Sequence, residues 1–108
     1  MEQYSVRITD EALEDMECIF RYISDSLQSP INARRQYDRI AAAILSLEYL
    51  PERIRLMDED PWHSLGMRRL NVDNYSVFYV IRDNTVFVAD VLYGASDIEN
   101  RLRTFGIG

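Results

Sequence analysis

The sequence predicts an α+β fold with the element order β-α-α-β-β-β, in which an N-terminal helical hairpin packs on a small, mainly antiparallel sheet. Three observations carry this. Residues 68–93 form a dense run of Val, Ile, Phe and Tyr without Gly or Pro, as suits central strands. Two stretches upstream, about 10–27 and 30–50, repeat apolar residues at helical spacing. Before them, Tyr4-Ser5-Val6-Arg7-Ile8 alternates apolar and polar residues, the pattern of a strand with one buried face.

Taken in order, the first strand leads into Thr9-Asp10-Glu11, a capping side chain followed by acids where a helix N-terminus favours them. The first helix carries Leu13, Met16, Phe20, Ile23 and Leu27 as its inward stripe, widened by Ala12 and Ile19. Glu11, Asp15, Cys18 and Tyr22 fall on the opposite face, so Cys18 is expected to be an inert surface or partly buried thiol and Tyr22 a candidate partner contact. A short break at residues 26–30 follows, with Ser29 able to cap and Pro30 suited to the first helical position. The second helix presents Ala33, Tyr37, Ile40, Ala41, Ile44 and Leu47 inward and stops at Pro51, with Arg35 and Arg39 solvated outside. So short a connection makes the two helices an antiparallel hairpin.

Residues 51–66 read as a loop, with two Pro and the acidic run Asp58-Glu59-Asp60. Trp62 is expected to anchor it from the core. His63, the only histidine, is expected at the surface; as a general base it would stand without a recognisable nucleophile. Three strands follow: Arg68–Val72, Tyr75–Arg82 and Thr85–Tyr93, the last two joined by Asp83-Asn84, which tolerate a left-handed turn. A two-residue turn sets Arg82 opposite Thr85, Val80 opposite Phe87, Phe78 opposite Ala89 and Ser76 opposite Val91. That face is expected to meet the helices. The other, with Tyr75, Val77, Tyr79, Ile81, Val86, Val88, Asp90 and Leu92, is also mostly apolar, and is either a partner surface or is covered by the loop and the C-terminal tail. After a turn at 94–97, residues 98–103 are expected to form one or two helical turns, capped by Ser96 or Asp97 and made positive by Arg101 and Arg103.

The 108 residues suit one domain, 1–108, and 47% hydrophobic with 28% charged residues is ordinary for a soluble protein. No apolar run approaches the roughly 20 residues of a membrane span, and the polar N-terminus is not a signal peptide. A lone cysteine and the absence of His/Cys clusters point to the cytoplasm, to no structural zinc and to no cofactor. All 12 basic residues are Arg; residues 1–64 hold 7 Arg against 13 acids, and residues 65–108 hold 5 against 5, so the net charge of −6 lies outside the hairpin half. An acidic chain is a poor nucleic-acid binder, because phosphate contacts need a positive footprint.

The element order, together with Met67-Arg68-Arg69-Leu70, the strand Asn74-Tyr75-Ser76-Val77-Phe78-Tyr79-Val80-Ile81, and Val86 through Tyr93-Gly94-Ala95-Ser96-Asp97, resembles the RelE/ParE superfamily of toxins from bacterial type II toxin–antitoxin systems, often labelled plasmid stabilisation proteins. Leu13-Glu14-Asp15 through Tyr22-Ile23 and the Pro51 stop are similar to that family's helical hairpin. The resemblance implies a RelE-like fold, a cytoplasmic growth inhibitor and a cognate antitoxin whose C-terminal segment wraps over the toxin. It leaves open a homodimer or a heterotetramer with the antitoxin. It offers two activities: cleavage of mRNA in the ribosome, or poisoning of DNA gyrase. A non-toxic relative serving as antitoxin co-repressor is a third reading.

Carried over residue by residue, a nuclease would use Arg69, Arg68 and Tyr93, the last where many relatives have His. Ser76 stands where the family has the Arg of Gly-Tyr-Arg, and Gly94-Ala95-Ser96 replaces a basic cluster. RNA cleavage needs positive groups on the scissile phosphate, so these replacements favour a ParE-like toxin that acts by binding. Antitoxin contacts are expected on the sheet face of Tyr75 and Tyr79 or on the outer helical hairpin around Tyr22, with Arg101 and Arg103 of the tail as further partner contacts.

Overall fold

In a computed structural model of the chain, which describes residues 3–94, the order is β1 (Ser5–Ile8), α1 (Asp10–Arg21), a π-helical turn (Tyr22–Ser26), α2 (Pro30–Leu45), 3-10 turns at Ser46–Glu48 and Pro51–Arg53, α3 (Trp62–Leu65), then β2 (Arg68–Val72), β3 (Tyr75–Arg82) and β4 (Thr85–Tyr93). The sheet runs β1-β4-β3-β2; β1 joins β4 in parallel and the other pairs are antiparallel. The expected α+β architecture and the three C-terminal strands stand as read from the sequence.

Local chemistry explains the boundaries. Thr9 caps α1, its hydroxyl accepting from the Ala12 N–H at 3.2 Å and donating to the Val88 carbonyl at 2.9 Å, which ties the helix start to β4. Pro30 occupies the first turn of α2, while Ser29 makes no side-chain cap. Arg53 closes the far end of the hairpin by donating to the carbonyls of Tyr49 at 2.7 Å and Leu50 at 3.2 Å. Asp73 and Asp83 take the left-handed backbone, φ 55° each, that turns β2 into β3 and β3 into β4.

Three expectations need correction. The register of the hairpin holds from Arg82↔Thr85 to Val80↔Phe87 and then slips by one at a bulge at Phe78/Tyr79, so that Phe78 faces Asp90 and Ser76 faces Leu92. The helices cover the opposite face from the one assigned: Val77, Tyr79, Val86 and Val88 pack with Met16, Ile40, Ile44 and Leu47, and past the bulge Val91 joins them while Leu92 turns to the other side. Both faces are apolar, so alternation alone could not choose between them. The face of Phe78, Val80, Ala89 and Leu92 is instead covered by Trp62, Met57 and Met67 from the loop, the role foreseen for Trp62.

The third correction concerns α1. Leu13 is 43% exposed and Leu27 56% exposed, whereas Asp15, expected outside, is buried. The stripe that packs is Ala12, Met16, Ile19 and Ile23. The rotation has a cause in the sheet. The Val91 N–H, just past the bulge, donates to Asp15 Oδ2 at 3.0 Å, so the helix turns a carboxylate inward.

Candidate functional site

Adjacent residues of a strand point to opposite faces, and this separates the two arginines expected to act together. Arg68 pairs with Tyr79 on the helix side of the sheet; its Nη1 donates to the carbonyls of Ile54 and Glu52, so the guanidinium braces the loop. Its Nε is buried and has no partner among the described residues. Arg69 pairs with Phe78 on the loop side. Its guanidinium carbon lies 5.5 Å from the centre of the Phe78 ring. Its Nε donates to Ser76 Oγ at 2.9 Å and Asn71 Oδ1 at 3.2 Å, and Ser76 Oγ donates to the same Asn71 oxygen at 2.9 Å. Ser76, almost wholly buried, is thus a brace for Arg69, in the place where the family resemblance leads one to look for a cation.

Tyr93 is 48% exposed and meets Tyr75 edge to face, centroids 5.6 Å apart. Arg69 and Tyr93 border one shallow hollow of about 350 Å³ with Asn71, Asp73, Ser76 and Gly94. A second hollow, about 450 Å³, runs from Arg69 past Trp62 to the loop, where Arg55 is paired with Asp58 at 3.0 Å. Other described arginines are engaged likewise: Arg39 with Asp73 at 2.7 Å, Arg34 with Asp38 at 3.3 Å, and Arg82 with the Leu65 carbonyl at 2.7 Å. His63 is exposed, its Nδ1 2.9 Å from the Met57 carbonyl oxygen. Among the described residues no group of His, Cys, Asp and Glu could hold a metal ion, and no helix is long and apolar enough to cross a membrane.

A larger concavity lies elsewhere. A groove of about 1040 Å³ opens between the outer row of α1, the start of α2 and the ends of β3 and β4. Ile19, Tyr22, Ile23 and Leu27 form one wall, Tyr75, Leu92 and Tyr93 the other, and Asp15 lies with them. Tyr22 is 57% exposed and Tyr75 half-buried. Desolvation pushes the Tyr75 hydroxyl pKa up, with Tyr93 and Tyr22 adding to the rise. The structure therefore gathers Tyr22 and Tyr75, expected to be alternative partner surfaces, on one groove together with Tyr93.

Tyr79 is not part of it. It is 0% exposed, its hydroxyl donates to the Pro51 carbonyl at 2.7 Å, and burial pushes its pKa up to about 12. It holds the loop to the core and offers no surface, which corrects its assignment as a partner contact. Arg101 and Arg103 lie outside the described residues, as do the expected turn and short helix of the tail. The groove's remaining members, Asp15 and Leu92 above all, were not singled out from sequence. Their place depends on the bulge, and nothing in the composition of β3 or β4 marks a bulge at that position.

A family model described as the ParE toxin of the type II toxin–antitoxin system parDE matches residues 6–98. Among solved structures, the chain is similar to one in a chromosomal ParDE toxin–antitoxin system from P. aeruginosa, at 16% identity and a TM-score of 0.72, covering 86% of this chain and 98% of that one. It is also similar to a chain of the RelBE2 toxin–antitoxin complex from Mycobacterium tuberculosis, at 20% identity and a TM-score of 0.57, covering 84% and 98%. No curated protein sequence matches the chain.

Proposed function

The chain belongs to the ParE toxin family of type II toxin–antitoxin systems, and on that premise we propose that it inhibits growth by binding a macromolecular target, DNA gyrase, and that a cognate antitoxin neutralises it in the cytoplasm. The observation that carries the binding reading is the separation of Arg68 and Arg69. Cleaving RNA requires several cations converging on one phosphate, because charge accumulates on it in the transition state. Here Arg68 is turned to the other face and spent on backbone carbonyls, and the position that could replace it is the buried Ser76. Among the described residues, Arg69 is left as the only arginine bordering either hollow on its side of the sheet without an acidic partner, with Arg55 paired to Asp58.

A second reading, a ribosome-dependent endoribonuclease, is favoured by one observation: Arg69 and Tyr93 border the same hollow. Induction of the chain without antitoxin separates the two. Binding to gyrase predicts growth arrest with gyrase-dependent DNA damage and intact translated messages, equally in Arg69→Ala. Cuts in ribosome-bound messages that disappear in Arg69→Ala would establish the nuclease instead. Healthy growth at high expression would reject both and leave a non-toxic co-repressor.

A further inference from the structure

The helical hairpin covers the sheet with one side, and its other side is not the wholly polar surface that water favours. Leu13 is 43% and Leu45 59% exposed, and Phe20, Tyr37 and Ala41 are half-buried. Leu13, Glu17 and Phe20 recur at helical spacing as an outer row of α1; Arg34, Asp38, Ala41 and Leu45 form the matching row of α2. The edge-to-face contact of Phe20 with Tyr37, centroids 6.1 Å apart, sets the rows side by side. The helices run in opposite directions. Seven residues back from Phe20 and eight on from Tyr37, at about 1.5 Å per residue, bring Leu13 level with Leu45. The result is an apolar strip along the seam of the hairpin, which shares no residue with the groove beside β3 and β4. The two helices differ in sign. α1 holds five acids and one arginine, α2 three arginines and one acid. Arg39 is turned away to Asp73, Arg34 pairs along the helix with Asp38, and Arg35 has no acidic partner among the described residues.

We propose that this strip is a homodimer interface, occupied by a second copy of the chain packed hairpin to hairpin about a two-fold axis along the seam. Such an axis lays each α1 on the α2 of the other copy. Leu13 then meets Leu45. By the same count of levels, Arg21, which within one chain donates to Cys18 Sγ at 3.7 Å, comes beside Asp38, and Asp25 comes beside Arg34 and Arg35. Charge complementarity selects this occupant. A face with an acidic helix and a basic helix side by side is complementary to itself turned over, whereas a partner of one sign would be repelled by one of the two. Packing α1 on α1 would set five acids against five, which disfavours the other two-fold arrangement. The inference does not rest on the proposed target, and it leaves the groove free.

Sedimentation equilibrium of the full chain between about 1 and about 200 μM tests this, and the mass should double reversibly across that range. Leu13→Asp and Leu45→Asp, both at exposed positions and checked for folding by circular dichroism, should each weaken the dimer about tenfold or more. Tyr22→Ala, in the groove on the other flank of α1, should not. Charge exchange gives the sharper readout. Arg21→Asp and Asp38→Arg should each dimerise severalfold more weakly alone, because like charges then meet twice. Mixed in equal amounts, the two variants should form a heterodimer about as tight as the native dimer, because both opposite-charge pairs return. A chain that stays monomeric throughout overturns the proposal and gives the strip to some other occupant. So does a dimer indifferent to Leu13→Asp and Leu45→Asp, or one lost in Tyr22→Ala, which would place the contact on another face. A mixture of the two charge variants no tighter than either alone overturns the two-fold arrangement. Growth arrest by a chain that fails these tests would leave the proposed function standing.

Discussion

Asp15 shows how one side chain can fix both a helix and a strand. Its carboxylate meets the Val91 N–H at the bulge, which explains why an acid lies on the packed side of α1. Asp15→Ala should lower stability by about 1.5–3 kcal/mol, the usual worth of a hydrogen bond to a charged group. Chemical denaturation measures this, and Leu13→Ala, at an exposed position of the same helix, should change little. Tyr79 makes a separate prediction. Its pKa is raised to about 12, so between about pH 10 and 12 the unfolded chain loses a proton that the folded chain keeps. The stability this contributes is full below pH 10 and falls as pH rises through that window. Tyr79→Phe should flatten this alkaline limb while costing about 1 kcal/mol at neutral pH, for the lost bond to the Pro51 carbonyl. Neither role was visible in the sequence, where Tyr79 is one more aromatic in a strand and Asp15 one more acid on an acidic helix.

The elements themselves were largely legible. β2, β3 and β4 follow from β-branched and aromatic runs punctuated by Asp-Asn turns, and α2 from its stripe and its proline. What alternation could not decide is which face of a two-sided apolar sheet meets the helices. That is settled by tertiary fit: the broad helical hairpin takes one face and the loop takes the other with Trp62. Trp62 is buried with its indole N–H unpartnered among the described residues. Trp62→Ala should therefore cost about 3–5 kcal/mol by opening a cavity over Phe78 and Val80. Trp62→Phe should cost clearly less, because it also removes an unsatisfied donor. Thermal unfolding of the two variants checks the order. The π turn Tyr22–Ser26 at the end of α1 was read as plain helix, since one extra residue per turn leaves no mark on an apolar stripe this short. It falls where Tyr22 and Ile23 line the groove.

At the level of the whole molecule, charge and architecture point the same way. The acidic excess lies in the N-terminal part of the chain, and most of the described arginines serve as braces or ion-pair partners. The family pattern could be traced along nearly the entire sequence because it consists of strand and turn residues. The site could be traced less well, because Arg68 and Arg69 are neighbours in sequence and are parted by the pleat of β2. That separation is the core of the case for a toxin that binds its target instead of cutting RNA. The most direct test incubates the purified chain, native and Arg69→Ala, with DNA gyrase, ATP and supercoiled plasmid, then measures linear DNA released by detergent and protease. The account predicts linear DNA that rises with the amount of chain and is the same for both proteins; no linear DNA from a chain that arrests growth would contradict it.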